Sequence, residues 1–289
     1  MATLQDIKRR IKSVKNTQQI TRAMKMVAAA KLRRAQEDVV DARPYAQKMQ
    51  EVIAALSSKT SPDVHPLLAS RGAGKVELLV LTSDRGLCGG FNSNIIRATE
   101  RFIRESSDYE IGLNLVGKKG MDYFKRGRTP IRKERPFGSG RPDYTVAAGI
   151  GRDIINAYTT EEVDEVHIVF GQFKSALSQE PVIRKLLPLA PAKEEGGEVH
   201  EPPAECIFEP SEDAILEELL PKYVEGQIFS AFLESSASEH GARMTAMDSA
   251  SKNAKEMIGA LTLQFNRVRQ AAITKELMEI ISGAEALKG

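Results

Sequence analysis

Residues 247–272, MDSASKNAKEMIGALTLQFNRVRQAA, decide the fold. Met247, Ala250, Ala254, Met257 and Leu261 recur at alternating spacings of three and four. That is the seam of a helix built to lie against another helix. Phe265, Val268 and Ala272 continue the stripe, with an additional step of four after Leu261, the mark of a stutter that locally unwinds a supercoil. Reading outward, proline is absent after Pro221 and no turn cluster interrupts the run, so one helix is expected from about Ser211 to Ala286. At 1.5 Å per residue it would be about 110 Å long, too long for a globule of this chain length to enclose. Such a helix needs a partner.

The partner is at the other end of the chain. Leu4, Ile7, Ile11, Val14, Gln18, Thr21, Lys25, Ala28, Leu32, Ala35, Val39, Ala42, Ala46, Met49, Ile53 and Leu56 form an unbroken 3-4 ladder. Its polar members, Gln18, Thr21 and Lys25, are consecutive, and Ile20, Met24 and Val27 put apolar surface on the neighbouring stripe there. A local repacking of the coil and a contact site for another molecule both remain open at that point. Pro44 lies inside the ladder and is expected to kink the helix. In an antiparallel pair, Leu4 is expected opposite the neighbourhood of Gln264, leaving the helix beyond about Val268 without a partner from its own chain.

Between the helices the period changes. Val76–Thr82, Ile111–Val116 and Val166–Phe170 read as strands, and Val182–Leu187 as an edge strand. Ser93–Glu105, Lys119–Lys125 and Thr145–Ala157 read as helices, while 127–143 is basic and rich in Pro and Gly. The alternation implies βαβ units and a mostly parallel, Rossmann-like sheet. The expected fold is therefore α/β plus a long antiparallel two-helix coiled coil: residues 1–57 the first helix, 58–210 an α/β foot, 211–289 the last helix.

Composition excludes several classes. With 42% hydrophobic and 28% charged residues the chain is ordinary for a folded protein, and no apolar run is long enough to span a membrane. Two cysteines, Cys88 and Cys206, make no disulfide framework. The four histidines are dispersed and no metal-ligand spacing appears, so no metal and no catalytic residue is assigned. The Gly-rich turn SDRGLCGGFN (83–92) follows a strand and precedes a helix, where α/β folds hold phosphate. Its spacing, Gly86, Gly89, Gly90, matches neither nucleotide fingerprint and no lysine follows it, so it is read as a structural turn and no cofactor is expected.

Net charge of +2 conceals an asymmetry. Residues 1–35 hold ten Lys/Arg against Asp6 alone, and residues 193–220 hold ten Asp/Glu against Lys193 alone. A one-signed excess repels itself and favours a partner of the other sign. A nucleic-acid factor with a basic helix is the alternative reading, but residues 1–35 carry no aromatic side chain and no recognition motif.

Three stretches, NTQQITRAMKMVAAAKLRRAQ (16–36), TSDRGLCGGFN (82–92) and ITKELMEIISGAEA (273–286), resemble the gamma subunit of F-type ATP synthases. The last carries that family's C-terminal signature: Ile273, Thr274, Glu276, Glu279, Gly283 and Ala284. The resemblance runs the length of the chain. It implies a non-catalytic rotor shaft standing in an α3β3 hexamer, with its foot on the epsilon subunit and the membrane c ring. It implies hexamer contacts at Met24, Lys25, Arg33, Arg34, Arg243, Gln270 and Thr274, and foot contacts at Cys206, Phe208 and Glu209. The inserted segment with a cysteine pair found in chloroplast relatives is missing, so a bacterial protein at the cytoplasmic side of the plasma membrane is implied.

Overall fold

The computed structural model describes residues 3–59, 65–72, 74–138, 140–189 and 212–286. Helix α1 spans Leu4–Lys59 with Pro44 inside it, and helix α5 spans Glu212–Ala286 with Pro221 inside it. Between them lie β1 (Lys75–Leu81), α2 (Phe91–Glu105), β2 (Glu110–Val116), α3 (Lys118–Phe124), β3 (Ile131–Arg135), α4 (Tyr144–Thr159), β4 (Glu165–Phe173) and β5 (Gln179–Leu187). Two compact units result: Ala28–Arg243, and the two chain ends Met1–Val27 with Met244–Gly289. The division cuts both long helices rather than falling at their ends.

The larger unit is built on a five-stranded sheet of order β3-β2-β1-β4-β5, parallel except for β5, which runs antiparallel to β4. From Val76 onward β1 is buried on both faces, as its run VELLVL, apolar except for Glu77, requires of a central parallel strand; the Glu77 carboxylate accepts from the Asn114 side-chain amide at 2.8 Å. Val76, Leu78 and Val80 pack with Phe91, Ile95 and Ile96 of α2, whereas Leu79 and Leu81 pack with Ile150 and Ile154 of α4 and Leu220, Val224 and Ile228 of α5. Residues of alternate parity thus meet helices on opposite faces, the period-2 rule of a strand. Asp143 caps α4 by accepting from the Thr145 backbone N–H at 2.9 Å. Strand β3 lies within 127–143, a stretch to which the sequence assigns no element. IRKER is a charged edge strand whose side chains are mostly exposed, so it carries no alternating apolar signal.

The smaller unit pairs the first part of α1 with the last part of α5. Ile7 and Thr21 are buried and Leu4, Ile11, Val14, Gln18 and Lys25 half-buried, so the ladder is the contact face throughout, polar members included. On α5 Met247, Asp248, Ala250, Ser251 and Ala254 are buried or half-buried, and from Ala254 the contact face continues through Ile258, Leu261, Phe265, Val268 and Ala272, alternating four and three. The expected stutter is therefore absent. Met257 is exposed and Ile258 takes its seam position. Two adjacent apolar residues fit the local spacing equally well, and only Ile258 keeps phase with Phe265.

Candidate partner-binding surfaces

In an open α/β sheet, ligands bind beyond the carboxyl ends of the strands where the strand order reverses, here between β1 and β4. That crevice is filled by the chain itself. The Ser238 hydroxyl of α5 donates to the Gly171 carbonyl at 2.9 Å, and a Cβ on Gly171 would approach Phe91 to 2.6 Å. Arg243, one turn on, donates to the carbonyls of Arg85 and Gly86 at 3.4 and 3.2 Å and to Glu239 at 2.5 Å. The backbone N–H groups of Lys118, Phe137 and Gly138, which could cradle an anion, all donate to the Asp84 carboxylate. Those hydrogen bonds, against the opposing effect of partial burial, hold Asp84 below the usual carboxylate range. Cys88 is buried and its thiol pushed up by desolvation, the reverse of an activated nucleophile. The 83–92 turn thus fastens α5 to the sheet, with Leu87 and Gly89 in left-handed backbone conformation. Among the described residues no group of three or more His, Cys, Asp or Glu could hold a metal ion, and no helix is long and apolar enough to cross a membrane.

What remains free is helix surface. On α1 of the smaller unit, Ile20, Met26 and Val27 are 60%, 63% and 58% exposed, and Met24 is half-buried. Lys25 lies in the seam and donates to the Asp248 carboxylate of α5 at 2.5 Å. Asp248 also accepts from Lys252, and the two ammonium groups, Lys25 first, bring it to about 2. Thr21 satisfies its buried hydroxyl on the Gln18 carbonyl at 3.0 Å. Thr21 and Lys25 thus occupy the seam with hydrogen-bond partners, while Ile20 and Val27 beside them are exposed and Met24 is half-buried. Arg33 pairs with Glu37 at 3.3 Å and Arg34 is exposed.

The second free surface is the end of α5. Half-burial stops at Ala272, and every side chain from Ile273 to Ala284 is exposed. These include Ile273, Leu277, Met278, Ile280 and Ile281, around half to two-thirds exposed. Gln270, Thr274, Glu276, Glu279, Gly283 and Ala284 share this exposure. The smaller unit carries thirteen Lys/Arg against six Asp/Glu, a net of +7, which leaves the larger unit at −5.

Of the residues singled out from sequence, Gln270 and Thr274 stand together on the exposed α5 end, and Met24 and Lys25 adjoin the exposed α1 stripe. Arg243 is set apart from both, its side chain 12% exposed and bonded within the larger unit. Cys206, Phe208 and Glu209 lie outside the described residues. Asp84, Glu239 and Asp248 escape sequence reading. Each is a single carboxylate whose partners are distant in the chain or lie in a polar run with no local signature.

The sequence matches the family profile described as "ATP synthase" over residues 3–287. It is 56% identical to the ATP synthase gamma chain of Geotalea uraniireducens and 55% identical to that of Trichlorobacter lovleyi, over all of both chains in each case. Among solved structures it resembles a chain of the central stalk and c ring of the Tetrahymena thermophila mitochondrial ATP synthase (26% identity, TM-score 0.62, covering 80% of this chain and 99% of that one). A chain of the Euglena gracilis mitochondrial enzyme shares the fold at 23% identity with a TM-score of 0.72, covering 98% and 94%. Sequence match along the whole length and the two long helices that precede and follow a mixed, mostly parallel sheet in the chain agree: the chain belongs to the ATP synthase gamma-chain family.

Proposed function

We propose that this chain is the non-catalytic rotor shaft of an F-type ATP synthase, carrying rotation of the c ring to the catalytic sites of an α3β3 hexamer. One observation carries the proposal. From Ile273 to Ala284 a helix exposes five large apolar residues around its circumference, none of them covered by another of the described residues to less than about half exposure. Each such side chain forgoes about 1.5–3 kcal/mol of burial in water, so the segment is made for a sleeve supplied by other subunits. Gln270 and Thr274 would face that sleeve. Ile20, Met24 and Val27, with Arg22 among them, form a second apolar and basic contact suited to an acidic surface on the hexamer, and Arg33 and Arg34 are assigned hexamer contacts of their own on the larger unit. Lys25 belongs to that contact through its place beside the stripe; Arg243 is assigned a hexamer contact of its own, beside the 83–92 turn it holds. Residues Cys206, Phe208 and Glu209 are assigned to the foot, against the c ring and the epsilon subunit. The working location is the cytoplasmic side of a bacterial plasma membrane, as a peripheral subunit.

The test is reconstitution with α and β subunits of a close relative such as the Geotalea enzyme. The chain is expected to co-purify with the hexamer at one copy per complex and to confer proton-pumping coupled to ATP hydrolysis once epsilon and membrane sector are added. A hexamer that assembles and hydrolyses ATP equally well without retaining the chain would overturn the proposal.

A further inference from the structure

Within the larger unit, Ala42 and Ala46 of α1 and Gly226 and Ser230 of α5 line a cavity of about 250 Å³. Four short side chains at one crossing of two helices leave space that interior packing normally fills. Gly226 is the telling position. Glycine weakens the interior of a helix, and a close approach by a neighbour would justify it. A Cβ at 226 would instead meet no neighbouring atom within 4 Å. The missing side chain keeps volume open.

The rest of the wall is largely aromatic. Tyr45 of α1, Tyr144 of α4, and Tyr223 and Phe229 of α5 contribute rings, Tyr144 meeting Phe229 edge-on with centroids 5.5 Å apart. Two of the phenol groups are already engaged. Tyr144 donates to the Glu225 carboxylate at 2.8 Å, and Tyr223 is hydrogen-bonded to Gln227, whose carbonyl accepts from Arg184 at 3.2 Å. Ring carbon is therefore what these tyrosines offer the cavity. Tyr45 and Tyr144 are 57% and 42% exposed, which puts a way in at the surface.

We infer that this cavity binds an uncharged aromatic small molecule of one or two fused rings. Size sets the upper limit. An apolar cavity of about 150 Å³ holds benzene, so this one has room for a second ring. Lining sets the class. Ring faces and edges from four aromatic residues favour offset or edge-on contact with another ring. An aromatic cage can also take a cation. Among the described residues, however, no charged side chain lines the cavity, so neither a cation nor an anion gains an ion pair there. A molecule so placed would brace α1 against α4 and α5, apart from both free helix surfaces, and its binding does not depend on the function proposed above.

The test uses the full chain and prodan, an uncharged naphthalene dye whose emission moves to the blue in apolar surroundings. Saturable blue-shifted emission is expected at about one dye per chain, displaced by 2-naphthol but not by phenyltrimethylammonium or 2-naphthalenesulfonate. Gly226→Leu, whose side chain fills the cavity, is expected to weaken binding by about tenfold or more at unchanged helix content. Leu277→Ser with Ile281→Ser, on the exposed end of α5, is expected to leave dye binding unchanged. No saturable binding by the folded chain, binding that survives Gly226→Leu, or binding lost with the two serines overturns the inference. Equal displacement by either charged compound overturns the ligand class. If Gly226→Leu lowers helix content, Ala46→Met fills the same cavity from α1 and is measured in its place, and binding that survives there overturns the inference equally.

Discussion

Arg243 shows how much one side chain can bind together. Its guanidinium joins Glu239, four residues back on α5, to two carbonyls of the 83–92 turn. Desolvation raises the Glu239 carboxyl while Arg243 opposes that shift, so removing the arginine leaves a largely buried acid unpaired. Arg243→Ala is expected to cost about 2 kcal/mol, less than a fully enclosed pair because both partners keep some solvent contact. Chemical denaturation read by circular dichroism measures it. His240 sits in the same cluster and is held at about 4, first by burial and then by the charges of Arg243 and Lys31. An unfolded histidine titrates near 6.5, so between about 6.5 and 4 the unfolded chain binds the extra proton and stability falls as pH falls. Glu239, raised in the folded state, contributes the opposite slope above its ordinary value. His240→Gln is expected to flatten the acid limb of the stability profile from pH 6.5 downward, and an unchanged profile would remove His240 as its source.

At the scale of elements, the long helices were the most legible part of the chain. The α1 ladder holds position by position from Leu4 to Ile53, because a seam repeated over so many turns leaves no other face to bury; its last member, Leu56, lies outside the residues whose side chains are described. Where the signal was ambiguous it was so for a local reason. Met257 and Ile258 are adjacent and both apolar, and the sheet's charged edge, β3, has too few buried residues to alternate visibly. Pairing across the seam was legible to within about a turn. Lys25, expected near Arg243, bonds to Asp248, so the free end of α5 begins after Ala272 rather than at Val268. A lone helix of this length is marginal in water. Backbone amides of residues 273–284 are therefore expected to exchange quickly in the isolated protein and slowly in a complex with α3β3. Strong protection in both states would point to a partner within the chain. The basic face of α1 divides by environment. Lys31 lies close enough to Glu239 and His240 to shift both, whereas Arg33 and Arg34 face solvent. Arg33→Glu with Arg34→Glu is expected to change stability by no more than about 1 kcal/mol while weakening coupling in the reconstituted enzyme. Thermal melting and proton-pumping assays on the same preparation separate the two effects.

For the whole molecule, a parallel α/β sheet has been kept while its usual ligand crevice has been given over to a helix. The absence of a nucleotide fingerprint was visible in the spacing of Gly86, Gly89 and Gly90. What takes the nucleotide's place was not, because Asp84, Ser238 and Arg243 reach their partners only after the chain has folded. Isothermal titration of the isolated chain with Mg-ATP is expected to show no micromolar binding. Heat evolved at a single micromolar site would mean that the crevice opens.

The smaller unit also sets a timetable for synthesis. It is made of Met1–Val27 and Met244–Gly289, so its first strand of the pair leaves the ribosome before all of Ala28–Arg243 has been translated. At bacterial elongation rates that interval is on the order of ten seconds or more. Throughout it a nascent segment bearing Ile7, Ile11, Val14 and a run of arginines and lysines waits with its mate unmade. The pairing of these two distant segments thus implies that during synthesis an apolar and basic helix face stays uncovered until the other end of the chain has been made.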